Sequence, residues 1–204
     1  MLITALTGGI ATGKSIVSRK LESLGCYVYS ADRATHRIMK PESPAWNSIR
    51  LHFGTSVLNE RGEVDRKRLG ERVFTREADR LFLNRLLHPL VESDRTTLIS
   101  KLSRENRYDI FISEAALTIE AGYVRKFHRV VLTHCPTSIQ LRRLQQRDGL
   151  DRTTAMKRIR SQLPGREKLR FADYIIDTSG DVDNTLRQTG RVYLCLEMDS
   201  RSLS

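Results

Sequence analysis

The stretch Gly8-Gly9-Ile10-Ala11-Thr12-Gly13-Lys14-Ser15 decides how this sequence of 204 residues is interpreted. It matches the pattern G-x-x-x-x-G-K-[ST] in full, between an apolar run at 2–6 and apolar residues at helical spacing. Glycines let the backbone turn N–H groups toward phosphate oxygens at the positive end of a helix dipole. A lysine supplies a mobile charge for the β- and γ-phosphates, and a serine hydroxyl is a ligand for Mg²⁺. The motif therefore predicts a strand, a loop that binds ATP with Mg²⁺, and a helix.

The rest of the chain predicts an α/β fold around this loop. Apolar runs predict five strands of a parallel sheet flanked by helices, at residues 2–6, 27–29, 110–112, 130–132 and 174–176. Two stretches differ, because residues 33–104 show charged helical patterning and residues 139–170 are mostly helical and rich in arginine. We expect a P-loop NTPase core at 1–32, 105–138 and 171–204, with helical insertions at 33–104 and 139–170.

Composition excludes several classes of protein. Hydrophobic residues make up 39% of the chain and charged residues 29%, which excludes collagen-like and low-complexity classes. No apolar run approaches ~18 residues, so no membrane span is expected, and the first residues lack the basic region of a signal peptide. Three cysteines, Cys26, Cys135 and Cys195, form no C-x-x-C pair. These features predict a soluble cytoplasmic protein.

The net charge of +11 is concentrated in the two insertions. Residues 33–104 hold 15 basic and 9 acidic residues, and residues 139–170 hold 10 and 3. Such a balance predicts a polyanionic partner. Residues 139–170 contain no aromatic side chain on which bases could stack, which favours small phosphorylated molecules over nucleic acid. Part of this charge also fits ordinary solvated helix faces.

Four further side chains are candidates for chemistry. Asp32 follows the second predicted strand, where a carboxylate can accept a proton or hold Mg²⁺, although a helix cap would use the same residue. Glu114 ends the third strand, either as a metal-water ligand or as a surface carboxylate. Arg143 and Arg147 lie four residues apart on one helix face, where they can balance charge on a transferring phosphoryl group or remain solvated.

These residues resemble the dephospho-coenzyme A kinase family. Residues 6–15 are similar to its opening L-T-G-G-I-[GA]-[ST]-G-K-[ST], and residues 30–32 occupy the place of its D-A-D. Residues 83–89 match L-N-x-x-x-H-P, residues 140–148 match the lid pattern Q-x-x-R-x-x-x-R-[DN], and residues 172–176 match A-D-x-x-[IV]. The similarity extends from residue 2 to about residue 192, with the motifs in family order.

The resemblance implies a reaction and a role for each motif residue. It implies phosphorylation of the ribose 3′-hydroxyl of dephospho-coenzyme A by ATP, with 33–104 as the coenzyme A subdomain and 139–170 as the lid. Asp32 would be the base, with Lys14 and Arg143 as the other catalytic residues, and Ser15 would hold Mg²⁺. Asp32, His88 and Glu114 would bind the acceptor. The ATP-binding residues would be Gly9, Ile10, Ala11, Thr12, Gly13, Lys14, Ser15, Ile16 and Arg147.

The sequence departs from the family at two places. Ser30 stands where the first aspartate of D-A-D is usual, and Ala116 stands where the loop after the third strand usually has proline. The base would be retained, whereas contact of that loop with the substrate is put in question. A nucleoside or nucleotide kinase of the same fold stays an alternative, as does a nucleic-acid-stimulated P-loop NTPase. We expect no nucleic acid or membrane partner, and a monomer or weak homo-oligomer.

Overall fold

The computed structural model describes residues 1–203, except for the side chain of Phe74, and centres on a parallel sheet. The order of its strands is β2-β3-β1-β4-β5, and every neighbouring pair is parallel. The strands are β1 (Leu2–Gly8), β2 (Tyr27–Ser30), β3 (Ile110–Glu114), β4 (Arg129–His134) and β5 (Tyr174–Asp177). All five predicted strands are confirmed. Because β1 lies between β3 and β4, the loop that follows it opens at the carboxyl edge of the sheet, where ligands of such folds bind.

The described residues form nine α-helices in addition to short 3₁₀ turns. They are α1 (Lys14–Ser23), α2 (Ala31–Ile38), α3 (Pro44–Phe53), α4 (Arg66–Thr75), α5 (Glu77–Glu105), α6 (Thr137–Asp148), α7 (Arg152–Arg160), α8 (Gly165–Lys168) and α9 (Val182–Arg201). Local chemistry sets several ends. Asp151 and Asp181 accept hydrogen bonds from backbone N–H groups at the starts of α7 and α9, and Gly149 ends α6 with a φ of +65°.

The chain divides into two compact units, residues 1–30 with 102–204 and residues 31–101. In the first unit, the sheet packs with α1 and α9 around fully buried residues such as Leu6, Val17, Ile112 and Leu196. Burial of these side chains is the main stabilising contribution, at roughly 1.5–3 kcal/mol each.

The second unit is helical and has a core of its own. It holds α2, α3, α4 and α5 as far as residue 101. Ile49, Phe53, Leu69 and Leu87 form the centre of its core. The predicted insertion at 33–104 begins and ends within three residues of this unit. Residues 139–170 contain most of α6 and all of α7 and α8, and Pro164 directly precedes α8. No helix among residues 1–203 is long and apolar enough to cross a membrane.

Candidate active site

The phosphate-binding loop connects β1 to α1 at the centre of the sheet. Gly13, just before the helix, has a left-handed φ of +82°, and Ala11 has a φ of +59° that residues other than glycine adopt rarely. Backbone strain of this kind collects at ligand-binding loops. The predicted ATP-binding residues 9–16 all lie in this loop and the first turn of α1. The N–H groups at the start of that helix form an anion-binding end.

Lys14 lies back across the loop that precedes it. Its Nζ donates hydrogen bonds to the carbonyl oxygens of Gly8, at 2.8 Å, and of Gly9, at 3.1 Å. These bonds hold the ammonium at the mouth of the loop. Ser15, the next residue, is exposed in the first turn of α1, so its hydroxyl is accessible to a metal ion.

Three buried threonines attach the loop to the strands beside it. Thr12 Oγ1 donates to the carbonyl oxygen of Gly9 and lies 2.8 Å from Thr133 Oγ1 in β4. Thr178, directly after β5, places its hydroxyl 2.9 Å from the carbonyl oxygen of Thr12. Because these hydroxyls are shielded from water, their hydrogen bonds fix the loop more firmly than exposed ones would.

Arg143, on α6, reaches the same structure through Thr178. Its Nη2 donates to the carbonyl oxygen of Thr178 at 2.6 Å, and its Nη1 lies 3.5 Å from the Thr178 hydroxyl. Since Thr178 also contacts Thr12, one residue joins this arginine to the phosphate-binding loop. Sequence reasoning did not single out Thr178. Its place at the end of the last strand, on the same edge of the sheet as the loop, is the signal that could have found it.

Arg147 lies one turn further along α6 and is largely exposed. Its Nε and Nη2 donate to the carboxylate of Asp148 at 2.7 and 3.0 Å, and Arg158 of α7 approaches the same carboxylate at 3.4 Å. The hydrogen bond from Arg147 holds the pKa of Asp148 below its ordinary value, so this residue is ionised at neutral pH. Asp148 thus joins two cations of the basic segment (residues 139–170), one on α6 and one on α7.

The basic segment also touches the tip of the phosphate-binding loop. Gln140, on α6, donates from Nε2 to the carbonyl oxygen of Ile10 at 2.9 Å. Gln162, after α7, accepts a hydrogen bond from the backbone N–H of Ile10 at 2.7 Å. Both backbone polar groups of Ile10 are therefore bound by amide side chains of the segment, one in α6 and one after α7. Sequence reasoning missed Gln162, because nothing near it in the sequence indicates a partner 152 residues away.

A cavity of about 930 Å³ opens between the loop and the basic segment. Gly9 and Thr12 of the loop line it, together with residues of the basic segment that include Gln140, Arg160 and Arg166. Its volume is typical of a small-molecule site. The combination of backbone N–H groups with arginines suits a ligand that carries several negative charges.

The remaining candidate residues fall in both units. Glu114 ends β3 in register with Leu6 of β1 and Ser30 of β2, so it lies at the same sheet edge as the loop. Asp32 and His88 belong to the second unit. Burial lowers the pKa of the half-buried His88, which makes its ring neutral at pH 7.

The structure corrects the local position of Asp32. The sequence suggested a strand end or a helix cap, but β2 ends at Ser30 and α2 begins at Ala31. Asp32 is therefore the second residue of the helix, exposed in its first turn, where a carboxylate complements the helix dipole. No connecting loop separates β2 from α2, which is why the two elements could not be divided by pattern alone.

A phosphate-binding loop on the central strand of a parallel sheet, bordered by an arginine-bearing helical segment, defines a P-loop phosphotransferase. The family model for dephospho-CoA kinase matches residues 2–184 of the chain. A dephospho-CoA kinase domain-containing protein of Danio rerio is 39% identical over 199 residues, which cover 97% of this chain and 86% of that relative. The dephospho-CoA kinase of Carboxydothermus hydrogenoformans is 38% identical over 91% of this chain and 90% of its own length.

Structural comparison agrees with the sequence comparison. A crystal structure of a Thermus thermophilus protein superposes with a TM-score of 0.79 at 28% identity, covering 95% of this chain and 96% of its own. The chain belongs to the dephospho-CoA kinase family.

Proposed function

We propose that the protein transfers the γ-phosphoryl group of ATP to the ribose 3′-hydroxyl of dephospho-coenzyme A. The products are coenzyme A and ADP, in the final step of coenzyme A biosynthesis. One observation carries this proposal: a complete phosphate-binding loop borders a cavity whose lining includes Arg160 and Arg166, in a chain of the dephospho-CoA kinase family. The names of the relatives from Danio rerio and Carboxydothermus hydrogenoformans support the choice of acceptor.

The loop and Lys14 would bind the triphosphate of ATP. The N–H groups at the start of α1 would donate to phosphate oxygens, and the helix dipole favours negative charge at that position. Lys14, now bonded to two loop carbonyls, carries three donors and can follow charge between the β- and γ-phosphates. Arg147, also a predicted ATP ligand, would add a second positive charge, from α6, to that of Lys14.

Ser15 would hold Mg²⁺ through its hydroxyl. Among the described residues, no group of three or more His, Cys, Asp or Glu side chains could hold a metal ion. An ion bound mainly by phosphate oxygens and water, with one protein hydroxyl, fits the preference of Mg²⁺ for keeping several waters. When bound, the ion supplies neutralisation of charge on the β- and γ-phosphates.

Asp32 would accept the proton of the 3′-hydroxyl, which makes that oxygen a nucleophile. Its exposed place in the first turn of α2 leaves the carboxylate open to an incoming substrate. His88 and Glu114 would bind the acceptor, with His88 as a neutral hydrogen-bonding ring. The helical unit of residues 31–101 would be the coenzyme A subdomain.

Arg143 would stabilise charge that develops on the transferring phosphoryl group. Its two bonds to Thr178 fix the guanidinium before substrate arrives, and preorganised charge of this kind stabilises a transition state most effectively. Residues 139–170 would act as a lid that excludes water from the reacting groups. We further propose that the protein acts in the cytoplasm as a monomer or weak homo-oligomer, without a nucleic-acid or membrane partner. Its free cysteines suit a reducing compartment.

Substitution of Asp32 by asparagine tests the assignment of the base. Asparagine keeps the shape but cannot take the proton, so kcat for dephospho-coenzyme A should fall by about 10²–10⁴-fold with ATP affinity nearly unchanged. Asp183→Asn is a matched control, because Asp183 is the second residue of α9 and loses the same interaction with a helix dipole. Steady-state ADP release and calorimetry with ATP give the two quantities. If Asp32→Asn keeps the activity of the control, Asp32 is not the base.

A further inference from the structure

Lys168 is a charged side chain in a fully buried position. It ends α8 and has no exposed surface. Its Nζ lies 2.7 Å from Glu120 Oε1 and 3.3 Å from the carbonyl oxygen of Ala116, both in the turn region that follows β3. An apolar side chain of similar length would avoid the cost of removing the ammonium from water, and an ion pair with the partly exposed Glu120 is a weak stabiliser. What such a pair does provide is a single fixed geometry.

Glu120 extends that geometry to the basic segment. The oxygen that binds Lys168 also accepts a hydrogen bond from the backbone N–H of Leu163, at 3.1 Å. Leu163 directly follows Gln162, whose side chain binds the N–H of Ile10 in the phosphate-binding loop at 2.7 Å. Three contacts and the peptide bond between Gln162 and Leu163 thus form one continuous path, from Lys168 through Glu120 to Ile10.

Lys168 is also connected to β1, through Ala116. The carbonyl oxygen of Ala116, which Lys168 approaches, also accepts a hydrogen bond from the Thr7 hydroxyl, at 3.3 Å, just before the loop begins. The loop is therefore held at its entry by the region after β3 and at its tip by the basic segment. Lys168 belongs to the basic segment and joins it to the region after β3 through Glu120 and Ala116.

We propose that Lys168 and Glu120 form a joint that positions Gln162 on the phosphate-binding loop and so sets the geometry of the nucleotide site. Both are positioning residues, since they act through Gln162 and Ile10 rather than on the substrate. Measurements of kcat/KM as a test of this joint rest on the proposed kinase function. Hydrogen exchange and nucleotide affinity do not rest on it.

Hydrogen exchange tests the joint without any substrate. In Lys168→Met, the peptide that contains Ile10 should exchange several-fold faster than in the wild type, as it should in Gln162→Ala. Arg129→Met is the matched control, since it breaks another charged pair of the same unit, Arg129 with Asp199 at 2.9 Å. That control should leave exchange at Ile10 unchanged. Unchanged exchange at Ile10 in a folded Lys168→Met protein, with faster exchange in Gln162→Ala, overturns the proposal.

A double-mutant cycle separates positioning from a general loss of stability. Lys168→Met and Gln162→Ala should each lower kcat/KM for ATP by about 10–100-fold, because small displacements in a reacting site have effects of that size. The double variant should be no worse than the more impaired single variant, since both lie on one path. Multiplied effects, as expected for independent sites, refute the joint. Arg129→Met combined with Gln162→Ala should show only the effect of Gln162→Ala.

Lys168→Met leaves Glu120 without its partner and is the variant most prone to misfold. Lys168→Met with Glu120→Gln removes both charges and keeps the acceptor for Leu163, so it provides a second variant for the same measurements. Affinity for a non-hydrolysable ATP analogue should fall in this variant and stay unchanged in Arg129→Met. Unaltered affinity and unaltered exchange at Ile10 contradict the joint. A wild-type protein that does not phosphorylate dephospho-coenzyme A counts against the proposed function alone.

Discussion

Substitution of Gly8 by alanine should damage both the fold and the nucleotide site. Gly8 ends β1 in register with Thr133 and has a φ of +152°, a conformation that side chains rarely adopt. A Cβ at this position would lie 2.5 Å from the carbonyl oxygen of Thr133 and 2.7 Å from Thr12 Oγ1. The backbone strain costs about 1–3 kcal/mol. Overpacking against a neighbouring strand adds about 1–3 kcal/mol.

Gly25→Ala separates these two contributions. Gly25 also has a positive φ, of +98°, but a Cβ there meets nothing within 4 Å. It should therefore lose only the backbone part of the stability. For a protein of this size, about 1 kcal/mol shifts the melting temperature by roughly 2–4 °C, so Gly8→Ala should melt about 2–12 °C below Gly25→Ala.

The two variants should differ more strongly in nucleotide binding. The carbonyl oxygen of Gly8 accepts a hydrogen bond from Lys14, so displacement of Gly8 displaces the lysine that binds phosphate. Affinity for ATP should fall at least about 10-fold in Gly8→Ala and stay unchanged in Gly25→Ala. Calorimetric melting and isothermal titration with ATP provide the measurements. Equal melting temperatures together with retained ATP affinity would refute this account of the loop.

Two other substitutions test the arginine and the sheet. Arg143→Lys should lower kcat about 10–100-fold with little change in ATP affinity, because an ammonium cannot reproduce the two contacts of the guanidinium with Thr178. Near-normal kcat in steady-state assays would show that these contacts do not contribute to catalysis. Asp199→Asn should lower the melting temperature at pH 7, and the deficit should shrink below about pH 4. Burial raises the pKa of Asp199, but hydrogen bonds from Arg129 and Tyr174 outweigh burial, so the pKa in the folded protein is lowered. The ionised carboxylate therefore stabilises the fold above the pKa of the unfolded chain, and this contribution is lost as the pH falls through the pKa of the folded protein. A deficit that stays constant from pH 7 to below pH 4 would contradict the pKa assignment.

The strands and the phosphate-binding loop could be predicted because their causes are local. A parallel strand is buried on both faces, so the sequences of β1 and β4 are short apolar runs. Residues 8–15 contain the glycines, lysine and serine that a phosphate-binding turn requires. The family resemblance rests on the same short motifs, and the family model confirms it.

Contacts between distant residues could not be predicted in the same way. Gln162 and Ile10 are 152 positions apart, and Lys168 finds its partner in a turn 48 residues earlier. A glutamine or lysine in a basic helical segment has the pattern of a solvated face, because sequence does not record which side chains the fold covers. Only the buried position of Lys168 distinguishes it from the other basic residues of its segment.

The central claim, that this chain phosphorylates dephospho-coenzyme A, is tested most directly by its preference among acceptors. Coupled ADP release should be measured with dephospho-coenzyme A and with a panel of nucleosides and nucleotides, at equal concentrations of ATP and Mg²⁺. We expect kcat/KM for dephospho-coenzyme A to exceed that of every other acceptor by about 10²-fold or more. Comparable or greater turnover of a nucleoside or nucleotide would contradict the claim and assign the protein to the alternative kinase of the same fold.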